Sequence, residues 1–259
     1  VLPYIHLPDL NLGPIPIHWF GILVATGVLV GIWIARRRAK FMGVDPVKLE
    51  SLINWMLLTG FISSHVLDEI FYHPDELARR PWSILFIWEG LSSFGGFAGA
   101  ALGIFLWKRF RGKGASLLPY ADLILSAYPV AWIFGRMGCA VVHDHKGKAA
   151  AAASLLTVAF PDGPHYDLGL LEMFYAVVIS AVCAAMWPRK WKTGTYIAVT
   201  CGLYAPVRFA LDFLRDSSGP TGDPRYFELT PAQWACIALF AFSVWMWLKG
   251  RRPPQKSLA

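Results

Sequence analysis

Seven stretches of the chain are predominantly apolar over about the length a helix needs to cross a hydrocarbon core, roughly 20 residues. They run 17–35, 49–71, 84–107, 117–142, 169–187, 194–214 and 231–248. The segments between them are short and polar or basic. The pattern predicts an all-α, polytopic membrane protein with about seven transmembrane helices, organised as a single integral membrane domain over 1–259. The second and fourth stretches are the weakest by hydropathy, because they carry polar residues. The first has no basic segment before it and is followed by Arg36, Arg37 and Arg38 rather than a small-residue cleavage site, so it reads as a retained span and not a signal peptide. The connection 143–168 is the longest. It contains the alanine run 149–153 and reads as an external loop or a short helix lying on the membrane.

Composition narrows this further. Hydrophobic residues make up 56% and charged residues 16%, against roughly a quarter charged in a soluble domain, which excludes intrinsic disorder. Four cysteines, at 139, 183, 201 and 236, show no CxxC spacing, which excludes a disulfide scaffold. The formal charge of +7 sits in clusters between apolar runs and forms no single basic face, so no nucleic-acid partner is expected. Lys and Arg in the connections total sixteen on one set of alternate sides and five on the other. The N-terminus is therefore expected outside and the C-terminus in the cytoplasm.

Ionisable residues at membrane depth cost at least about 2.5 kcal/mol each on insertion scales, so each calls for an explanation. In the second span, Asp68 and Glu69 lie near the external end and read as interfacially solvated, and His65 as a satisfied bundle histidine. The third carries Glu89, Ser92, Ser93, Gly95, Gly96 and Gly99. Such glycine density serves either close helix packing or a site. In the fourth, Arg136 stands between Gly135 and Gly138, and Asp122 precedes it by fourteen residues, about 21 Å along a helix and too far to pair. Arg136 therefore needs a carboxylate from another helix or a phosphate, which guanidinium binds in a bidentate fork. The triplet His143-Asp144-His145 follows. A His-x-His pair is a weak metal signal, and no third ligand of recognisable spacing accompanies it. General acid–base work suits these residues better. In the sixth span, Arg208 and Asp212 are i, i+4 and share a face, Arg215 is i+3 from Asp212, and Pro206 interrupts the helix nearby. Two arginines on different helices, both toward the outer side, would form an anion site facing phospholipid headgroups.

The ordered set His18-Trp19-Phe20-Gly21, Ser93-Phe94-Gly95-Gly96, Asp122, Gly135-Arg136-Met137-Gly138, Asp144, Gly147, Leu171-Glu172, Arg208-Phe209 with Asp212-Phe213 and Arg215, and Gln233 resembles the phosphatidylglycerol–prolipoprotein diacylglyceryl transferases of the bacterial inner membrane. The resemblance runs over about residues 15–240. It implies transfer of a diacylglyceryl group from phosphatidylglycerol to the lipobox cysteine thiol of a prolipoprotein, with release of glycerol phosphate and no cofactor. It implies a multi-pass protein among membrane lipids. Arg136 and Arg208 would stabilise the departing phosphate, and Asp122, Asp144 and Asp212 would position groups around it. His143, His145 or Asp144 would activate the thiol. His18, Ser93, Gly95, Gly96, Gly135, Gly138 and Glu172 would line the substrate site, with the glycine-rich third span a side opening for lipid. The chain departs from the family pattern where Tyr is usual (Phe20), where His is usual (Phe94), where Asn is usual (Cys139), and where Glu is usual (Asp144 and Asp212). Two other readings stand beside this one: a catalytically silent homologue that binds phospholipid or lipoprotein, and a small transporter or proton relay built on His65 and the His-Asp-His triplet. The absence of internal repeats counts against the transporter.

Overall fold

The computed structural model describes the chain apart from residues 6, 9, 13–14, 87–89, 153, 217–224 and 252–259. It is mostly helical. A short antiparallel hairpin, β1 (Leu10–Leu12) and β2 (Ile15–Ile17), precedes α1 (Trp19–Met42). Then follow α2 (Pro46–Tyr72), α3 (Pro74–Arg79), a 3₁₀ turn (Pro81–Leu85), α4 (Ser93–Phe110) and α5 (Leu117–Val142). Strands β3 (Lys146–Ala149), β4 (Thr157–Phe160) and β5 (Gly163–Asp167) lead into α6 (Leu168–Met186), α7 (Thr195–Leu211) with a 3₁₀ extension (Asp212–Leu214), and α8 (Pro231–Arg251). Among the described residues five helical segments are long and apolar enough to cross a membrane: Trp19–Met42, Leu117–Val142, Leu168–Met186, Thr195–Leu214 and Pro231–Lys249.

The chain divides into two compact units, Ala39–Leu117 and the remainder. In the smaller unit, α2 starts where Asp45 accepts the amides of Val47 (2.9 Å) and Lys48 (3.2 Å), with Pro46 at the first helical position. Its partner α4 packs on it through glycines. A Cβ on Gly95 would stand 2.5 Å from the Ser63 carbonyl, one on Gly99 2.3 Å from that of Thr59, and one on Gly103 2.7 Å from that of Trp55. Spaced four apart, they form one stripe that lets two backbones touch. The third apolar stretch, expected as one helix from 84 to 107, is interrupted. Gly90 has φ +67° and Ser92 caps a helix that begins only at Ser93.

In the larger unit, α7 has no side-chain cap of its own, because its N-cap residue is Gly194. Asp122 of α5 supplies one instead, accepting the Ile197 amide at 2.9 Å. The connection 143–168, expected as a loop or surface helix, folds as a three-stranded antiparallel sheet in the order β3-β5-β4. Its β4–β5 turn is Pro161-Asp162 followed by Gly163 at φ +122°, chemistry that favours a hairpin over a helix. Leu2 adds to the β4 edge, exchanging hydrogen bonds with Thr157 and Ala159.

Candidate functional site

Three helices of the larger unit bring four charges together. Arg136 projects from the last turns of α5, Glu172 from the second turn of α6, and Arg208 from the end of α7. Arg136 Nε lies 2.8 Å from Glu172 Oε2, and Arg208 Nε lies 3.3 Å from Glu172 Oε1. One carboxylate thus stands between two guanidiniums. Oε2 is buried and has no hydrogen bond of good geometry despite the short distance to Arg136, so that contact is an ion pair rather than an aligned fork. Arg208 Nη1 also binds Asp212 Oδ1 at 2.8 Å. Both arginine side chains are about one-seventh exposed (15% and 14%), while Glu172 and Asp212 are buried.

The surroundings fix this arrangement. Gly169 lets the start of α6 meet the end of α5: a Cβ there would stand 2.9 Å from the Cys139 Cβ. Asp167 caps α6 by accepting the Leu170 amide at 3.0 Å. Asp212 also accepts the Thr230 hydroxyl. Thr230 and Gln233 in turn cap α8 reciprocally, Gln233 N–H to Thr230 Oγ1 (3.2 Å) and Thr230 N–H to Gln233 Oε1 (3.0 Å). Gln233 Nε2 donates to the Phe209 carbonyl at 3.3 Å, tying α8 to α7 beside Arg208. Trp132 lies under the Arg136 guanidinium at 4.6 Å and meets Tyr204 edge-on. At Gly147 a Cβ would come 2.6 Å from the Leu214 carbonyl, and this glycine bridges to Arg215. The sheet is thereby latched to the end of α7.

A guanidinium has five N–H donors and no neutral form at accessible pH. Among the described residues Arg136 directs Nε at Glu172 and Nη1 at Cys139 Sγ, 3.7 Å away. Donors remain for an anion. A chain of contacts therefore runs from Asp212 through Arg208, Glu172 and Arg136 to Cys139. The family whose model is described as prolipoprotein diacylglyceryl transferase matches residues 9–249. The chain belongs to this family. It is 28% identical over 258 residues to a phosphatidylglycerol–prolipoprotein diacylglyceryl transferase of Nitratidesulfovibrio vulgaris (strain DSM 19637 / Miyazaki F), covering 96% of this chain and 95% of that protein. It is 30% identical over 232 residues to the protein of that name from Francisella tularensis subsp. mediasiatica (strain FSC147), covering 86% and 83%.

Within this family member the residues singled out from sequence separate into groups. Arg136, Arg208, Glu172 and Asp212 converge. Asp122 does not join them, because its carboxylate is spent on the start of α7. Gly138 lies at the α1 crossing, where a Cβ would meet the Phe20 ring at 3.0 Å, whereas Gly135 has open space. His18 is exposed just before α1. Ser93, Gly95 and Gly96 belong to the smaller unit. Gly95 faces the α2 backbone, and a Cβ on Gly96 would find only Ser64 Oγ at 3.9 Å. Glu89 lies outside the described residues.

The His-Asp-His triplet also divides. His143 is the left-handed residue (φ +51°) that ends α5. Its Nδ1 meets Asp167 Oδ2 at 2.7 Å, its Nε2 faces the Ile5 carbonyl at 3.2 Å, and its ring stacks on Tyr4. His143 thus ties the end of α5 to the N-cap of α6 and to the N-terminal segment. Asp144 and His145, turned back by that residue, bond to each other at 2.6 Å (Oδ1 to Nδ1) and are partly exposed. Their ligand atoms lie within 4.8 Å of Cys139 Sγ and of each other. The third potential ligand that the sequence spacing does not signal is thus supplied by the last turn of α5.

In the smaller unit, Asp68 and Glu69 are buried rather than solvated (8% and 5% exposed). Ser83 Oγ donates to Glu69 Oε2 at 2.5 Å, and His65, fully buried, faces the carbonyls of Gly90 (3.2 Å) and Ser83 (3.3 Å). A surface cleft lined by Tyr72, His73, Glu76, Arg79 and Arg80 also lies in this unit. It is open and its walls are exposed, so it offers none of the desolvated charge that phosphate chemistry needs.

Proposed function

We propose that this protein moves the diacylglyceryl group of phosphatidylglycerol to the thiol of a prolipoprotein lipobox cysteine, releasing glycerol phosphate, from within the bacterial inner membrane. The observation that carries this reading is the convergence of Arg136 and Arg208, from separate helices, on one carboxylate. The two guanidiniums share Glu172, and Arg208 also binds Asp212, so the cluster is formally neutral, and it is the donors left over on Arg136 that a phosphodiester would meet. In the reaction the acceptor sulfur forms a bond to the glyceryl carbon, the carbon–oxygen bond to phosphate breaks, and the electron pair leaves on glycerol phosphate. Arg136 and Arg208 stabilise that developing charge, Asp212 and Glu172 hold them in place, and the Cys139–Asp144–His145 corner removes the thiol proton. A thiol must lose its proton to become a competent nucleophile.

The same reading makes the chain a single integral domain with seven spans, the five apolar helices joined by α2 and α4. The N-terminus is external and the C-terminus cytoplasmic, in accord with the basic residues of the connections. Incubation of the purified protein with phosphatidylglycerol and a lipobox peptide is expected to release glycerol phosphate and to add a diacylglyceryl mass to the peptide cysteine. A second reading, a silent lipid-binding homologue, is favoured by one residue: Phe94 is 68% exposed at the start of α4 and carries no proton acceptor. Binding of phosphatidylglycerol without either product would decide for it.

A further inference from the structure

We propose that Cys139, Asp144 and His145 bind a zinc ion whose remaining coordination position takes the acceptor thiol as thiolate. This inference rests on the transferase reading for its purpose, but not for the existence of the metal site. Three observations lead to it. First, the three side chains offer a sulfur, a carboxylate oxygen and an imidazole nitrogen, all within 4.8 Å of one another. With zinc bonds of about 2.3 Å to sulfur and 2.0–2.2 Å to nitrogen and oxygen, tetrahedral ligands stand roughly 3.3–3.6 Å apart. Small side-chain rotations close the set.

Second, the backbone aims them. His143 in the left-handed region reverses the chain directly after α5, and the Leu168 amide donates to the His145 carbonyl at 3.0 Å. Asp144 and His145 are thereby folded back over the turn that carries Cys139. The Asp144–His145 hydrogen bond, at 2.6 Å, holds carboxylate and imidazole closer than two ligands of one ion. The ion would take the place of the shared proton, and binding would release protons, as it does at thiolate and imidazole sites.

Third, the charges balance. A thiolate, a carboxylate and a neutral imidazole neutralise Zn²⁺. A second thiolate, from the acceptor, leaves one negative charge, and Arg136 stands 3.7 Å from Cys139 Sγ. Three protein ligands and an open position are the pattern of reactive rather than structural zinc. A mixed sulfur, nitrogen and oxygen donor set suits Zn²⁺ over Mg²⁺ or Ca²⁺. When the acceptor binds, its S–H bond breaks, the sulfur electron pair goes to zinc, and the proton passes to water at the exposed Asp144 side. A thiol coordinated to zinc is deprotonated outright. No oxidant or reductant is needed. The corner is joined to the arginine pair through Arg136, so thiolate and departing phosphate share one site.

The test uses the full-length protein in detergent. Wild type purified without chelator is expected to hold one zinc per chain. Stripped protein titrated with Co²⁺ is expected to show a near-ultraviolet thiolate-to-cobalt charge-transfer band. Cys139→Ser and Cys139→Ala should both lose that band, and His145→Ala should weaken Co²⁺ binding at least about 10-fold, while His73→Ala, an exposed histidine of the smaller unit, keeps the band. Stripping should lower transfer about 10²-fold, as expected for loss of the thiol-activating group, with recovery on adding Zn²⁺. The proposal is overturned if wild type gives no charge-transfer band, or if Cys139→Ser and His145→Ala bind Co²⁺ as wild type does. Full transfer by metal-free protein also overturns it and leaves the transferase reading intact. Zinc bound at these residues with no transfer under any condition has the opposite meaning: the site stands and the transferase reading falls.

Discussion

Two of the buried polar networks among the described residues, one in each unit, are built differently. In the Ala39–Leu117 unit, the acceptors are mostly backbone carbonyls. Ser64 Oγ donates to Ser92 O at 2.7 Å, the Ser92 amide returns a bond to Ser64 O at 3.1 Å, and His65 bridges Gly90 and Ser83. This network spends its donors on the irregular segment between α3 and α4 and holds it against α2. In the larger unit the groups are fixed charges, held by a shared carboxylate, with donors left over on Arg136. Desolvated charge is expensive. In the smaller unit, carbonyls, hydroxyls and the buried Glu69 carboxylate are enough to fix a loop. A cluster of guanidiniums with donors to spare is placed to meet an anion.

The comparison is most exposed to failure at the arginines. Arg136→Ala and Arg208→Ala are each expected to lower diacylglyceryl transfer by about 10²–10³, the usual cost of removing one group that stabilises developing negative charge. Arg79→Ala, on exposed α3, should leave transfer unchanged, and equal effects at all three positions would dissolve the distinction between the networks. Next comes the smaller unit. His65→Ala leaves the carbonyls of Gly90 and Ser83 without their buried partner and should cost about 1–3 kcal/mol of stability, read as earlier thermal unfolding in detergent with transfer per folded molecule retained. Gly95→Ala drives a methyl against the Ser63 carbonyl and should destabilise by about 1–3 kcal/mol, while Gly96→Ala is tolerated. If instead Gly96→Ala abolishes phosphatidylglycerol binding and Gly95→Ala leaves stability alone, α4 lines the substrate and is not merely packed.

The smallest effect is at the sheet. The Lys146 ammonium bonds to Asp162 and holds its carboxyl below the ordinary carboxylate range. A carboxyl with a lowered pKa stabilises the fold above its unfolded value and loses that contribution as pH falls through the folded value. Wild type should therefore lose a little more stability in acid than Asp162→Asn does, a difference measured by unfolding at descending pH.

Much of this was legible in the chain. Each of the seven apolar stretches holds a helix, the third only from Ser93 onward, and among the described residues five are long and apolar enough to cross a membrane. Arg136 and Arg208 stood out because an arginine inside an apolar run must find an anion. That its protein anion is Glu172 was not readable, since the pairing depends on how α5, α6 and α7 lie together. Asp122 illustrates the same limit: its carboxylate caps a helix 75 residues away. The sheet, unlike these pairings, has a local signature in the sequence. Pro161-Asp162-Gly163 between Thr157-Val158 and His165-Tyr166 is a hairpin signal, outweighed by the neighbouring alanines. Cys139 meets Asp144 and His145 through the left-handed turn at His143, and no motif spacing records such a reversal of the chain.

On the reading proposed above, the bridging position of Glu172 has a consequence for turnover. An incoming phosphodiester meets a competitor that is tethered and cannot diffuse away. Headgroup affinity is thereby held down, and the leaving glycerol phosphate exchanges against a carboxylate already poised to reoccupy its place, so the two cations are never left facing each other bare.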